Sequence, residues 1–355
     1  MLFAPIKSRH WWHAAFVVIV IAALAFALRA IGLSLAVFDP LGQAIDQYHF
    51  SDGLFYAKNK ITRQSKANPG VVIMDIGGCH SRSEIATVLN RIAAAQPAAV
   101  GLDIIFPKAS TVLPEEDDSL ILAISRLPNL VLASNESQGT DEHSFFSEGF
   151  AEGNVAMAYD MVRTFHAGEG SFVGELLRKF GRPELMDKAE RMIDFDRVQT
   201  YVYEHDSEIP SREVAGSIVL VGDKRDLRDF HRVPVSVNGK LRLSGVELHA
   251  QELYTVLEGQ RFRECGPGWT VMLCVLLTYL FCILIVCPVY DAKKDFNSLR
   301  CFLGLLILIL LLTFLEYWVF FSLSLYWSPV WLFVGTGLAG LAAEAFYWII
   351  NRVKR

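Results

Sequence analysis

Apolar residues are gathered into four long runs that dominate the two ends of the chain. Residues 13–36 read HAAFVVIVIAALAFALRAIGLSLA, interrupted by Arg29. WTVMLCVLLTYLFCILIVCPVY (269–290) carries no charge, CFLGLLILILLLTFLEYWVFFSL (301–323) carries Glu316, and SPVWLFVGTGLAGLAAEAFYWII (328–350) carries Glu344. A helix that crosses the hydrocarbon core needs roughly 20 apolar residues, so each run predicts a transmembrane helix. Trp11, Trp12, Trp269, Trp327, Trp331 and Trp348 fall near the run ends, where interfacial aromatic residues belong.

Between the first and second runs the pattern shortens and begins to alternate. After the mixed stretch FDPLGQAIDQYHFSDGLFYAKNK (38–60), read as connecting helix, PGVVIMDI (69–76) has the β-branched, wholly apolar character of a buried strand. SRSEIATVLNRIAAAQ (81–96) then places Ile85, Val88, Leu89 and Ile92 on one helical face. PAAVGLDIIF (97–106) predicts a second strand, DDSLILAISRL (117–127) a second helix and NLVLASN (129–135) a third strand. GNVAMAYD (153–160) and QTYVYEH (199–205) read as further strands, and SFVGELLRKFG (171–181) and PELMDKAERM (183–192) as helices. GSIVLVGD (216–223) predicts another buried strand, and SGVELHAQELYTVLEGQ (244–260) a helix with Ser244 as its N-cap. Continuous apolar strands alternating with amphipathic helices predict an α/β domain, its mostly parallel sheet flanked by helices.

Charge orients these pieces. Lys7 and Arg9 precede the first run, Lys293, Lys294 and Arg300 separate the second from the third, and Arg352, Lys354 and Arg355 follow the fourth. The positive-inside rule puts all three groups in the cytoplasm. The expected layout is then a cytoplasmic N-terminus (1–12), transmembrane helix 1 (13–36), an extracytoplasmic domain (37–266), helix 2 (269–290), a cytoplasmic loop (291–300), helix 3 (301–323), helix 4 (328–350) and a cytoplasmic tail (351–355). The first run reads as a retained anchor, with a cleaved signal peptide as the rival reading. Composition agrees: 52% of the 355 residues are hydrophobic, and the mean hydropathy is +0.33. A net charge of −5 with no basic stripe argues against a nucleic-acid partner.

Six cysteines make no disulfide framework, because Cys274, Cys282, Cys287 and Cys301 lie in or at the predicted membrane. Cys79 and Cys265 are expected to remain unbridged. No zinc spacing and no cofactor motif is present. The literal G-x-G-x-x-G of Gly335, Gly337 and Gly340 lies inside the fourth run with no strand before it, so it predicts close helix packing rather than nucleotide binding. Glu316 and Glu344 are costly in lipid and are expected to contact other helices or a partner.

Ligands in open parallel sheets bind at the carboxyl ends of strands. Those ends place Asp75, Gly77, Gly78, His80 and Arg82 after the first strand, Asp103 after the second, and Gly222 and Asp223 after the late one. Asp75 and Asp103 are candidates for acid–base work or cation binding, or else accept backbone N–H groups of the following helix. His249 is a pH-sensitive ligand group or a hydrogen-bonded structural histidine. Cys79 and His80, adjacent in sequence, project differently and do not form a nucleophile–base pair.

The order of VVIMDI, AAVGLDIIF, DDSLILAI, NLVLAS, GNVAMAYDMVRTFH, AGSIVLVGD, RDFHRVPV and SGVELHAQEL resembles the second type of CHASE domain, the cyclases/histidine kinases associated sensory extracellular family, over about residues 15–350. The resemblance marks Asp75, Arg82, Asp103, Asp118, Arg163, Gly222, Asp229, Pro234, Gly245 and His249. It implies a sensory, non-enzymatic role for an inner-membrane protein with a periplasmic domain. Relatives commonly continue into a cytoplasmic cyclase or kinase, and NRVKR is too short for one, so a separate partner is expected to read the signal. The expected partners are the membrane, an unknown small-molecule or envelope ligand, that signalling partner and a second copy in a homodimer. A scaffold subunit that senses nothing is the alternative, and an extracytoplasmic hydrolase the third reading.

Overall fold

The structure, a computed structural model, describes residues 6–32, 50–62, 67–108, 112–137, 140–157, 161–195, 200–291 and 297–353. In chain order the helices are α1 (Ser8–Gly32), α2 (Phe50–Thr62), α3 (Arg82–Ala94), α4 (Pro114–Ser125), α5 (Phe172–Lys179), α6 (Ser211–Val214), α7 (Gly245–Leu257), α8 (Pro267–Asp291), α9 (Asn297–Leu323) and α10 (Val330–Val353). The strands that matter here are β1 (Val71–Asp75), β2 (Ala99–Leu102), β3 (Leu130–Ser137), β4 (Thr140–Glu142), β5 (Ala151–Asn154), β6 (Thr164–Ala167), β7 (Asp187–Met192), β8 (Tyr201–Glu204), β9 (Ile218–Gly222), β10 (Phe230–Val237) and β11 (Lys240–Ser244). The chain divides into two compact units, Phe55–Arg263 on one hand and Met1–Leu54 with Glu264–Arg355 on the other.

In the first unit a seven-stranded sheet runs β4-β3-β2-β9-β1-β8, with β5 also paired to β3. Every pairing is parallel except that of β4 with β3. The central strands β1 and β9 are buried along their whole length, which is why their sequences are continuous apolar runs rather than alternating ones. One face of the sheet, with Val72, Met74, Val100, Leu102, Val219 and Val221, packs against Ala86, Val88, Leu89 and Ile92 of α3 and Leu120, Ala123 and Ile124 of α4. The other face carries α5 and α7. Helix α3 starts where the sequence predicts: Ser81 is its N-cap and accepts from the backbone N–H of Glu84.

Three expectations change. PELMDKAERM is not helical: a short 3-10 turn, Pro183–Leu185, leads into β7, which pairs antiparallel with β6. The run is rich in residues that favour helices, but pairing of Thr164 with Met192 and Phe165 with Arg191, and burial of Arg191 and Met192, outweigh that weak local preference. The GNVAMAYD strand survives only at its start, since β5 ends at Asn154; residues 158–160 lie outside the described residues. RDFHRVPV forms half of an unforeseen hairpin, β10–β11, closed by Asn238 (φ 49°) and Gly239 (φ 86°), the Asn-Gly pair that two-residue hairpin turns favour. Residues 33–49, the end of the first run and the start of the connecting stretch, lie outside the described residues, and α2 covers the end of that stretch.

The second unit is helical. Pro267–Asp291, Leu299–Leu323 and Leu332–Ile350 are each long and apolar enough to cross a membrane, and Ser8–Leu24 of α1 is a shorter apolar helix. Helix α8 widens into a π-turn at Cys282–Val286, just before Pro288. Proline has no N–H to donate and its ring clashes with the preceding turn, and the wider turn accommodates it. At one end of this unit Asp291 of α8 takes hydrogen bonds from Lys7 Nζ (2.8 Å) and from Arg9, while Tyr347 of α10 donates to the Cys287 carbonyl (3.2 Å). At the other end the Cys265 N–H reaches the Tyr326 carbonyl (2.7 Å). The start of α1 and the ends of α8 and α10 therefore lie on one side, and the α9–α10 turn lies on the other. Lys293, Lys294, Lys354 and Arg355 lie outside the described residues.

Candidate functional site

The α/β unit holds a cleft of about 550 Å³. Its walls come from the end of β5 (Asn154 to Met157), the β6–β7 ribbon (Thr164, Phe165, Glu190), the start of α5 (Gly170 to Val173) and α7 (His249, Glu252). Such a volume lies within the range of small-molecule sites.

His249 and Glu252 form the buried polar part of this cleft. They lie one turn apart on α7, so their side chains share a face, and His249 Nδ1 is 2.7 Å from a Glu252 carboxylate oxygen. His249 Nε2 is 4.0 Å from Asp103, in the loop after β2, and the His249 ring lies 5.0 Å from that of Phe172. Burial opposes a charge on His249, but Glu252 and then Asp103 outweigh it and raise the imidazole to about 9. Burial pushes the Asp103 carboxyl up to about 6, while His249 pulls the other way. A strongly perturbed base lining a cleft, with a perturbed acid next to it, is the pattern of a functional site.

The closing motif explains how α7 is placed. Gly245 is its first residue because its N–H donates to Asp229 (2.9 Å), and a Cβ there would lie 2.6 Å from the same carboxylate. The next residue, Val246, covers Gly222 at the end of β9, where an added Cβ would meet it at 2.9 Å. Glu247 accepts from the Ser244 N–H at 3.3 Å, closing the helix start reciprocally. Gly222, Asp229, Gly245 and Val246 thus fix the angle at which α7 delivers His249 to the strand ends. Asp229 also lies 3.3 Å from His231.

Of the candidates drawn from the sequence, His249 lines the cleft and Asp103 stands beside it. Asp75 instead accepts from the N–H groups of Gly77 (2.9 Å) and Lys224 (3.1 Å), tying the first loop to the β9 loop. A Cβ on Gly77 would strike Asp223 and one on Gly78 would strike His205, so these glycines close a loop against its neighbours. His80 is exposed, and its N–H binds Glu84 (2.7 Å). Arg82 is buried: it pairs with Asp117, donates to the Pro107 carbonyl (2.6 Å) and stacks over Phe145 at 5.1 Å. Asp118, the residue marked by resemblance, is exposed, one position from the acid that Arg82 selects. The Arg163 carbonyl accepts from Ile193 (2.8 Å) beside the β6–β7 ribbon. Cys79 and Cys265 are free thiols, and burial pushes Cys79 up to about 11, far from a thiolate nucleophile. Among the described residues no group of three or more His, Cys, Asp or Glu side chains is arranged to hold a metal ion.

The helical candidates separate as well. A Cβ on Gly335 would meet Thr278 Oγ1 of α8 at 2.7 Å, whereas Gly337 and Gly340 have nothing within 4 Å. Close packing therefore holds for Gly335 alone of the three. Glu316 is buried, and Glu344 is exposed beside a groove that Gly337 and Gly340 also line.

Sequence reasoning missed Glu252, Asn154, Thr164, Glu190 and the start of α5. Glu252 was the most legible of these, three residues after His249 on a predicted helix. The others come from separate elements that only the fold brings together, and the β7 half of the β6–β7 ribbon reads as a helix in the sequence.

Fold and cleft together define an α/β domain with a cleft at its strand ends, in a chain that also carries a set of apolar helices. The chain belongs to the CHASE2 domain family, whose match spans residues 15–285, and that family is one of extracellular sensory domains. The match takes in the α/β domain and most of α8, a shorter span than the resemblance suggested. No curated protein and no solved structure matches the chain.

Proposed function

We propose that this protein is a membrane-anchored sensor of the bacterial inner membrane. Its α/β domain lies in the periplasm, takes up an envelope or environmental ligand in the cleft at His249, and relays the change through the transmembrane helices to a separate partner protein. The buried His249–Glu252 pair at the cleft of a sensory-family domain carries this reading. Orientation is supported by Lys7 and Arg9, gathered with Asp291 at one end of the helical unit, the end that the positive-inside rule assigns to the cytoplasm. Relay is supported by Glu344, a carboxylate exposed on an apolar helix, where pairing with a partner's donor offsets its cost in lipid.

A ligand shifts a two-state protein only through unequal affinity for the two states. His249 suits that requirement, because its Glu252 and Asp103 neighbours must reorganise if a ligand takes either contact. The test has two parts. A reporter enzyme inserted at Gly149 should be active only outside the cytoplasm; activity inside it would overturn the reading. A photo-crosslinker at position 344 should capture a partner in a stimulus-dependent amount that His249→Ala abolishes. Constant capture, indifferent to stimulus and to His249, would instead mark a scaffold.

A further inference from the structure

Charge around the sensory cleft is one-sided. Among the described residues that line it are four glutamates and two histidines, and no lysine or arginine. At the mouth Glu169 is paired with Arg178 at 3.2 Å. Glu136 and Glu190 are exposed there and meet no cation among the described residues; Glu190 accepts instead from the neutral Thr164 hydroxyl.

The floor carries the deciding group. Glu252 is 5% exposed. Its hydrogen bond from His249 falls on one carboxylate oxygen, and among the described residues the other oxygen accepts none. Native structures rarely leave a buried acceptor without a donor, and an ionised one least of all. That oxygen calls for an N–H, and an anion has none to offer. His249 does not supply it, because its Nδ1–H is spent on the first oxygen and its Nε2 lies 4.0 Å from Asp103. One imidazolium thus stands against two carboxylates, and the floor keeps a negative balance. The adjoining wall is hydrocarbon, with Val162, Phe165 and Phe172 all buried along it.

Resting on the sensory reading of the same cleft, we propose that its ligand is an organic amine, bound as the ammonium ion. The ammonium donates to the open oxygen of Glu252, and the hydrocarbon body lies on Val162, Phe165 and Phe172. Ammonium on carboxylate is a charge-assisted bond, roughly twice as strong as a neutral one. Aromatic rings add attraction for a cation. An anion would be repelled by Glu136, Glu190 and Glu252. A bare metal ion would find no three His, Cys, Asp or Glu side chains arranged to hold it among the described residues, and it has no hydrocarbon to bury. A cleft of about 550 Å³ has room for a body of several carbons.

The full-length protein in lipid nanodiscs would be titrated with butylamine, putrescine and phenethylamine, and with butyramide, butyrate and calcium chloride as neutral, anionic and inorganic controls. Thermal stability and ligand-observed NMR would be followed against empty nanodiscs. The expected result is a dose-dependent rise in melting temperature with at least one amine, weakened roughly tenfold or more by Glu252→Gln and about threefold by Glu190→Gln. Glutamine at 252 keeps an acceptor for His249, and Glu190 is exposed, so the second variant folds even where the first fails to. Silence from every amine, equal binding of butyramide, preference for butyrate or calcium, or wild-type affinity in Glu190→Gln or in a folded Glu252→Gln would each overturn the assignment. The crosslinker at position 344 keeps the two readings apart. Stimulus-dependent capture without amine binding retains the sensor and removes the amine; amine binding with constant capture retains the site and removes the relay.

Discussion

The two units of this chain use the same residues in opposite ways. In the α/β unit, Leu89, Leu120, Leu132 and Leu220 are shut away from solvent. In the helical unit, Leu310, Leu311 and Phe314 point outward, 62–71% exposed. Water expels leucine from the surface of the first unit; lipid accepts it on the surface of the second. Carboxylates show the same division. Glu252, buried in the α/β unit, is answered by His249, whereas Glu316 is buried among apolar helices with one oxygen lacking any partner. An apolar run therefore says that a residue avoids water, not whether it packs inward.

Leucine truncation tests this most severely. Leu89→Ala should lower stability by about 2–5 kcal/mol, from lost burial and the cavity left behind. Leu310→Ala, on a lipid-facing position, should change it by less than about 1 kcal/mol. Chemical denaturation of the full chain in nanodiscs reads both, and similar losses would break the contrast.

Next comes the Arg82 contact. Asp117→Ala should cost about 3 kcal/mol, because it leaves a buried guanidinium unpaired. Asp118→Ala should stay within about 0.5 kcal/mol. Equal effects would mean that the resemblance had marked the right acid.

The pH dependence of the His249 group should be of similar size, on the order of 3 kcal/mol. His249 is raised from 6.5 to about 9 in the fold, so its stabilisation is full below about pH 6.5 and is lost as pH rises through 9. Asp103 is raised from 3.8 to about 6, so the fold prefers its neutral form and loses stability as pH rises from about 4 through 6. Denaturation curves at intervals across this range should show both declines, and His249→Gln should remove the upper one and move the Asp103 decline to higher pH, since the imidazole no longer holds that carboxyl down. An upper decline that survives the substitution would reassign it.

The smallest contrast lies among the helical glycines. Gly335→Ala forces a Cβ towards Thr278 and should cost about 1–2 kcal/mol by overpacking. Gly340→Ala, with open space around it, should be neutral or slightly stabilising through helix propensity. Detergent-unfolding titrations separate the two.

Much of the architecture was legible because it rests on local chemistry. The run lengths, the wholly apolar β1 and β9, the helical spacing of Val88, Leu89 and Ile92, and the Ser244 cap follow from side-chain period and hydrogen-bonding capacity alone. The site was legible only at His249 and Asp103, which lie at strand ends and a helix start whose positions the pattern gives.

By itself, then, the sequence determined that apolar segments of membrane-spanning length flank a parallel α/β domain, and that Asp75, Asp103 and Gly222 stand at its strand ends. Tertiary structure alone decided that residues 187–192 are a strand, that Arg82 takes Asp117 rather than Asp118, and that Gly335 packs while Gly337 and Gly340 do not. It also decided that Glu190, Asn154 and Glu252 meet around one cleft. The physical reason is range: burial and hydrogen bonding act along a few residues of chain, whereas these choices depend on which distant segments the sheet order brings within a few ångströms.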